Sequence, residues 1–147
     1  MDFSEIYNEA VIRAGSHKKL MELLPKPCSS DLLSKISDDR YLSTMARCIF
    51  RAGFVWRVVE LWRQMKKEGS RLGGMTGPLV LRIIGKDTFL ATNDVLVALK
   101  KYGYIKTHSN GSMKDLFRLQ EIFNEISKEI KMPLCQISKI FALSTLR

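Results

Sequence analysis

Apolar residues recur along most of this chain at intervals of three and four, the spacing that gathers them on one face of an α-helix. Phe3, Ile6, Tyr7, Ala10 and Val11 follow it and predict an amphipathic first helix that stops at Gly15. A short second helix is expected from Lys18 to Leu24, closed by Pro25-Lys26-Pro27. Ser29 or Ser30 starts a brief helix holding Leu32, Leu33 and Ile36. Ser37-Asp38-Asp39 starts a longer one, with acids where the helix dipole favours them. Its Tyr41, Met45, Cys48, Ile49 and Ala52 share a face, and Gly53 breaks it. Val55, Val58, Val59, Trp62 and Met65 then form the apolar side of a helix whose Arg57, Arg63, Lys66 and Lys67 lie outside that stripe.

That helix leads into Gly69-Ser70-Arg71-Leu72-Gly73-Gly74-Met75-Thr76-Gly77-Pro78, followed by the apolar run Leu79-Val80-Leu81-Arg82-Ile83-Ile84. The order predicts helix, short Gly-rich hairpin, helix. Glycines let the backbone turn tightly and let another backbone come close. Thr76 is expected to cap the second helix, with Pro78 in its first turn, where a missing N–H does no harm. Unpaired N–H groups at such a start suit a phosphate, and Lys67 and Arg71 stand beside it. An ordinary interhelical turn also accounts for the glycines taken alone.

Lys86 to Ala91 reads as an irregular connection. Thr92 or Asn93 then caps a helix through Tyr102, ended by Gly103. Thr107 to Ser112 is the most turn-rich stretch and the expected surface loop. Ser112-Met113-Lys114-Asp115 resembles a capping box before a long helix marked by Leu116, Leu119, Phe123, Ile126 and Ile130. Pro133 separates it from a last helix with Leu134, Ile137, Ile140, Phe141 and Leu143. No segment alternates with period two. The fold class is therefore all-α, as a single helical domain over residues 1–147 without internal repeat or dividing linker.

Composition narrows the function classes. Twenty-four Lys and Arg against 15 Asp and Glu give a net charge of +9, which favours an anionic partner, nucleic acid first. A merely basic, soluble surface is the plainer alternative. No run is long enough to span a membrane, and the polar start (Asp2, Ser4, Glu5) is unlike a signal sequence, so a cytoplasmic protein is expected. Cys28, Cys48 and Cys135 are odd in number and widely spaced, which points to reduced, buried thiols. His17 and His108 have no Cys, Asp or Glu partner at ligand spacing. With no GxSxG, HExxH or Walker pattern either, chemistry needing a triad or a metal is disfavoured, and no cofactor is expected.

One more stretch carries chemistry. In Phe50-Arg51-Ala52-Gly53-Phe54-Val55-Trp56, aromatic residues meet at a helix–helix junction, and Trp56 stands one position past the apolar stripe. A ring placed there can stack on a base taken out of a duplex. Core packing is the other reading.

In combination, Asp38-Asp39-Arg40-Tyr41-Leu42, Ala52-Gly53-Phe54-Val55-Trp56, the run Lys66 to Pro78 and Pro133-Leu134-Cys135-Gln136-Ile137-Ser138 resemble the 3-methyladenine DNA glycosylase I family, in its non-zinc bacterial branch. The resemblance covers nearly the whole chain in two blocks, Asp2–Glu60 and Leu61–Arg147. It implies an all-α helix–hairpin–helix glycosylase. Such an enzyme is a monofunctional hydrolase of base-excision repair, acting as a monomer on double-stranded DNA with alkylated bases and associated with the nucleoid when on DNA.

By that resemblance, Arg71, Leu72, Gly73, Gly74, Met75 and Thr76 hold a DNA phosphate, while Trp56, Phe54 and Tyr7 form the base pocket. A positively charged purine such as 3-methyladenine already has a labile glycosidic bond, so positioning for attack by water suffices. The chain departs from the family at two places. Cys48 holds the position of the purine-reading Glu of the zinc-containing branch, leaving Glu60 and Asp94 as candidate catalytic groups. Val58-Val59-Glu60 also passes directly into Leu61-Trp62-Arg63, where family members carry further helices, a gap at about 60/61. These departures favour the alternative, a non-catalytic helix–hairpin–helix DNA-binding protein; a basic helical interaction protein without a DNA role is the third reading.

Overall fold

The computed structural model describes residues 2–26, 58–68, 73–83, 85–107 and 111–145. The helices expected around Leu32 and from Ser37 to Ala52 lie outside these residues, as do Cys28, Cys48, Phe54, Trp56, Arg71, Leu72 and His108. The described residues are all-helical, with seven helices: α1 (Phe3–Ala14), α2 (His17–Leu23), α3 (Val58–Glu68), α4 (Thr76–Ile83), α5 (Asn93–Lys101), α6 (Met113–Ile130) and α7 (Leu134–Leu143).

Local chemistry sets most of the ends. The Asp2 carboxylate accepts from the Ser4 N–H at 2.9 Å and opens α1; Gly15, at φ +87°, closes it with its N–H on the Ile12 carbonyl. Ser16 caps α2 by accepting from Lys19. Ser112 caps α6 from the Asp115 N–H at 3.1 Å and donates its hydroxyl to the Asp115 carboxylate at 2.7 Å. Thr76 differs from the expectation. It is the first residue inside α4, and the Met75 carbonyl accepts the first helical bond, from Leu79 at 3.0 Å. Met75 therefore holds the cap position, because the turn Gly73–Met75 closes through Thr76 N–H to Gly73 C=O one residue earlier than the sequence suggests.

α7 is the centre of the packing. It lies against α1, α5 and α6, and seven of its residues are buried. An aromatic chain runs through this core: Trp62 meets Phe89 at 4.8 Å, Phe89 stacks on Phe123 at 4.6 Å and 12°, and Phe123 meets Phe141 edge-on at 5.9 Å. Phe3 and Tyr104 reach Phe141 from two further sides. The connection Lys86–Ala91 is irregular, as expected, but it is no surface loop: Thr88, Phe89, Leu90 and Ala91 are buried. It runs under the core and sends Phe89 between Trp62 and Phe123. α3, which packs on α6 and α4, is fixed to this core through Trp62.

Candidate nucleic-acid interface

Of the expected hairpin, α3, the turn Gly73–Met75 and α4 are described, and residues 69–72 lie outside the described residues. Val58, Val59, Leu61, Trp62 and Met65 turn inward on α3, and Arg63, Gln64, Lys66 and Lys67 outward. α3 runs unbroken through Glu60–Leu61. Gly74 is left-handed at φ +60°, a conformation that disfavours most side chains, and it is exposed. The stem of Lys66 passes the other glycine, so that a Cβ at Gly73 would lie 3.8 Å from Lys66 Cγ. Lys66 is thereby carried to the turn by its own apolar stem.

How the helix starts are satisfied distinguishes α4 from the others. The first N–H groups of a helix lack helical partners and carry positive partial charge. In α1, α2 and α6 the side chains of Asp2, Ser16 and Ser112 accept from them. At α3 the buried Gln120 side chain accepts from the Val59 N–H at 2.9 Å. At α7 the Asp87 carboxylate takes two, from Leu134 at 3.1 Å and Cys135 at 2.9 Å. α5 has no side-chain cap bond, although Thr92 holds the cap position, but it carries Asp94 in its first turn. Among the described residues, α4 has no acid in its first turn, and its Thr76 and Leu79 N–H groups go to the backbone carbonyls of Gly73 and Met75.

A cavity of about 330 Å³ opens beside this start, between α3, the turn and the beginning of α6. Arg63, Lys66, Gly74 and Met75 border it, with Trp62 among its walls. Arg63 is largely exposed and reaches Glu60 at 3.5 Å, a pair weak enough to exchange partners. Of the expected phosphate-binding residues, Gly73, Gly74, Met75 and Thr76 are described, and they form one turn and the helix it leads into. Glu60 is not among the cavity's described walls, although it pairs with Arg63, which is. Asp94 is exposed on α5, where its carbonyl accepts from Thr145, and is not among the cavity's described walls. Tyr7 lies apart from the cavity, with its hydroxyl 3.8 Å from Met21 Sδ and its ring beside His17.

Sequence reasoning passed over Lys66 as a rim cation, and Trp62 and Leu116 as anything but core residues. Their apolar spacing is what core positions show, so no signal in the pattern sets them apart. A second cluster was also missed. Arg82 on α4 sends its Nη2 to the carbonyls of Thr88 (3.2 Å) and Cys135 (2.9 Å) and to Ser138 Oγ (2.7 Å). Burial pulls the Arg82 pKa down, while Cys135 and Asp87 favour its charge. The Cys135 thiol donates to the Pro25 carbonyl at 3.7 Å, and burial, helped by Asp87, pushes it from the ordinary 9.0 up to about 12. Arg82 and Asp87 thus bind the far end of the hairpin and the strap Lys86–Ala91 to α7.

No family model, no curated protein and no solved structure matches this chain.

Proposed function

We propose that the chain is a DNA-binding repair protein of the 3-methyladenine glycosylase type, which grips one backbone phosphate at the hairpin and releases alkylated purines from duplex DNA. The observation that carries the reading is the start of α4, which among the described residues has no acid in its first turn and is set beside Lys66 and Arg63. An anion from outside completes such a site. The exposed cations of α3 and the net charge of +9 draw a polyanion toward it. The excision step is supported by the sequence resemblance: a cationic alkylated purine leaves readily, so the protein's task is to hold the base in place while water attacks.

Two measurements test this. Incubation of the full chain with methylated duplex is expected to release free 3-methyladenine; a folded sample that releases none removes the glycosylase half. Duplex affinity is expected to fall about tenfold in Gly74→Asp relative to Gly74→Asn, both of which tolerate the left-handed backbone. Equal affinities would remove the phosphate clamp. Binding without excision is the second reading. It is favoured by the unbroken helix through Glu60–Leu61 and by Cys48 at the family's purine-reading position.

A further inference from the structure

We propose that the cavity beside the Gly73–Met75 turn is one end of a groove that receives an acidic amphipathic helix of a partner protein. The docking is independent of the DNA-binding reading above; its consequence, that an occupied groove denies a phosphate its cations, rests on that reading. Of the eight large apolar side chains left exposed among the described residues, four lie on the two helices beside this cavity: Leu79 and Ile83 on α4, Met113 and Phe117 on α6. Ile83 is 82% exposed. Exposed apolar residues scattered singly need no explanation, whereas a contiguous group marks an interaction site. A phosphate clamp has no use for them.

The four residues form two edges. Leu79 donates its N–H to the Met75 carbonyl, and Ile83 follows one turn later, so Met75, Leu79 and Ile83 stand in a row along α4. On α6, Met113 and Phe117 are likewise four apart. Met75 and Met113 both border the cavity of about 330 Å³, with Pro78 and Leu116 as further apolar walls, so the cavity joins the two edges. From Met75 to Ile83 is about 12 Å along the helix axis. A docked helix with apolar anchors at i, i+3, i+4 and i+7 spans about 10.5 Å between its outer anchors. The lengths agree. Two methionines on the cavity wall give a surface that adapts to the anchors it meets.

Charge selects the occupant. Arg63 and Lys66 are the charged residues among the cavity's described walls. Lys114 and Arg118 are exposed beside Met113 and Phe117, and α4 carries no acid. The acids close by are engaged: Asp115 accepts from the Ser112 hydroxyl and Glu60 pairs with Arg63, while Glu121 lies a turn beyond Phe117. Apolar anchors flanked by carboxylates match this surface. A second copy does not, because chains of net charge +9 repel each other. Four side chains also fall far short of the roughly 800 Å² per partner that a stable dimer buries. DNA offers the anions without the apolar anchors.

The test uses the full chain and a synthetic probe. This is a fluorescein-labelled peptide of about 18 residues, long enough to hold a helix, with Leu at i, i+3, i+4 and i+7 and Glu and Ala elsewhere. Fluorescence anisotropy is expected to show micromolar binding that weakens as salt is added. Ile83→Ser and Phe117→Ser, both at exposed positions, should each weaken it about tenfold and leave duplex affinity unchanged. The peptide should also displace duplex from the parent chain, since both use Lys66 and Arg63. No binding by the probe overturns the proposal. So does equal binding by a peptide with serines for its leucines, or with lysines for its glutamates. Concentration-dependent sedimentation that Ile83→Ser abolishes would assign the edge to a second copy and overturn it as well. If duplex binding persists, falls in Gly74→Asp and is untouched by the peptide, the phosphate clamp stands and the competition is removed. Peptide binding by a chain that binds no duplex keeps the groove and removes the DNA reading.

Discussion

The starts of α7 and α4 face the same electrostatic problem, and the chain answers it in opposite ways. At Leu134 the problem is solved from inside. Asp87, forty-seven residues earlier, lays one carboxylate oxygen on each of the first two N–H groups. Arg82 stands by, bound to Cys135, Ser138 and Thr88. At Thr76 no described side chain plays the part of Asp87, and the nearest charges on the cavity rim are cations. The difference separates what the fold needs from what it leaves open. A start buried among other helices must carry its own anion, because water cannot reach it. The α4 start instead begins at the exposed Thr76, whose N–H goes to the Gly73 carbonyl, and it stands beside lysine and arginine.

The largest expected effect falls on the internally satisfied start. Arg82→Ala removes the donor shared by three acceptors, of which the Cys135 carbonyl keeps the Ser138 hydroxyl, and frees α4 from α7, a loss of about 3 kcal/mol. Urea unfolding followed by circular dichroism measures it. A change under about 1 kcal/mol would mean that water replaces the guanidinium, and that this end of α4 is as open as the other.

Asp87→Ala should follow at about 1–2 kcal/mol, the scale of a lost helix cap, with Asp87→Asn retaining part of the stability. If the two variants unfold alike, the carboxylate is acting by charge on α7 and not through its two bonds.

Cys135 provides a pH readout of the same junction. Its folded pKa of about 12 lies above the ordinary 9.0, so the unfolded chain gives up its proton first as pH rises. The contribution is fully present below pH 9 and is lost between about 9 and 12. The fall in unfolding midpoint across that range should be shallower in Cys135→Ala than in the parent. Parallel slopes would mean that the thiol is not shielded at this helix start.

Much of this contrast was legible in the sequence on one side only. The turn Gly73–Met75 and the helix after it are signalled locally, through Gly73-Gly74 and Pro78, and α3 through its apolar stripe. So are the helix ends at Gly15 and Ser112, whose chemistry acts within a few residues. The α7 start is not. Asp87 sits in Lys86-Asp87-Thr88-Phe89, which reads as a connection, and nothing nearby indicates that its oxygens belong to Leu134 and Cys135. Gln120 is hidden in the same way: a polar residue in an amphipathic helix gives no sign that it caps Val59, sixty-one residues earlier. Arg82 reads as one polar position in an apolar run. Pairings across such distances follow from how the helices pack, which periodicity does not encode. Thr76 was misplaced by one step because Met75, with no capping side chain, holds the cap position through its backbone alone.

The smallest effect on stability is the most decisive for the comparison. Thr76→Asp gives α4 the acid that its first turn lacks, on an exposed residue. An acid at a helix start is worth roughly 0.3–1 kcal/mol, so the variant should unfold at slightly higher urea than the parent. If the open start is only an ordinary turn, that gain is the whole consequence. If it is a phosphate site, the new carboxylate occupies the anion's place, and duplex affinity should fall about tenfold while stability rises. The salt dependence supplies a further check, since one phosphate contact fewer lowers the log–log slope by about 0.9. A variant that is more stable and binds duplex as well as the parent, with an unchanged slope, would put the two helix starts on the same footing. Both would then be structural, and the DNA contact would have to lie elsewhere on the chain.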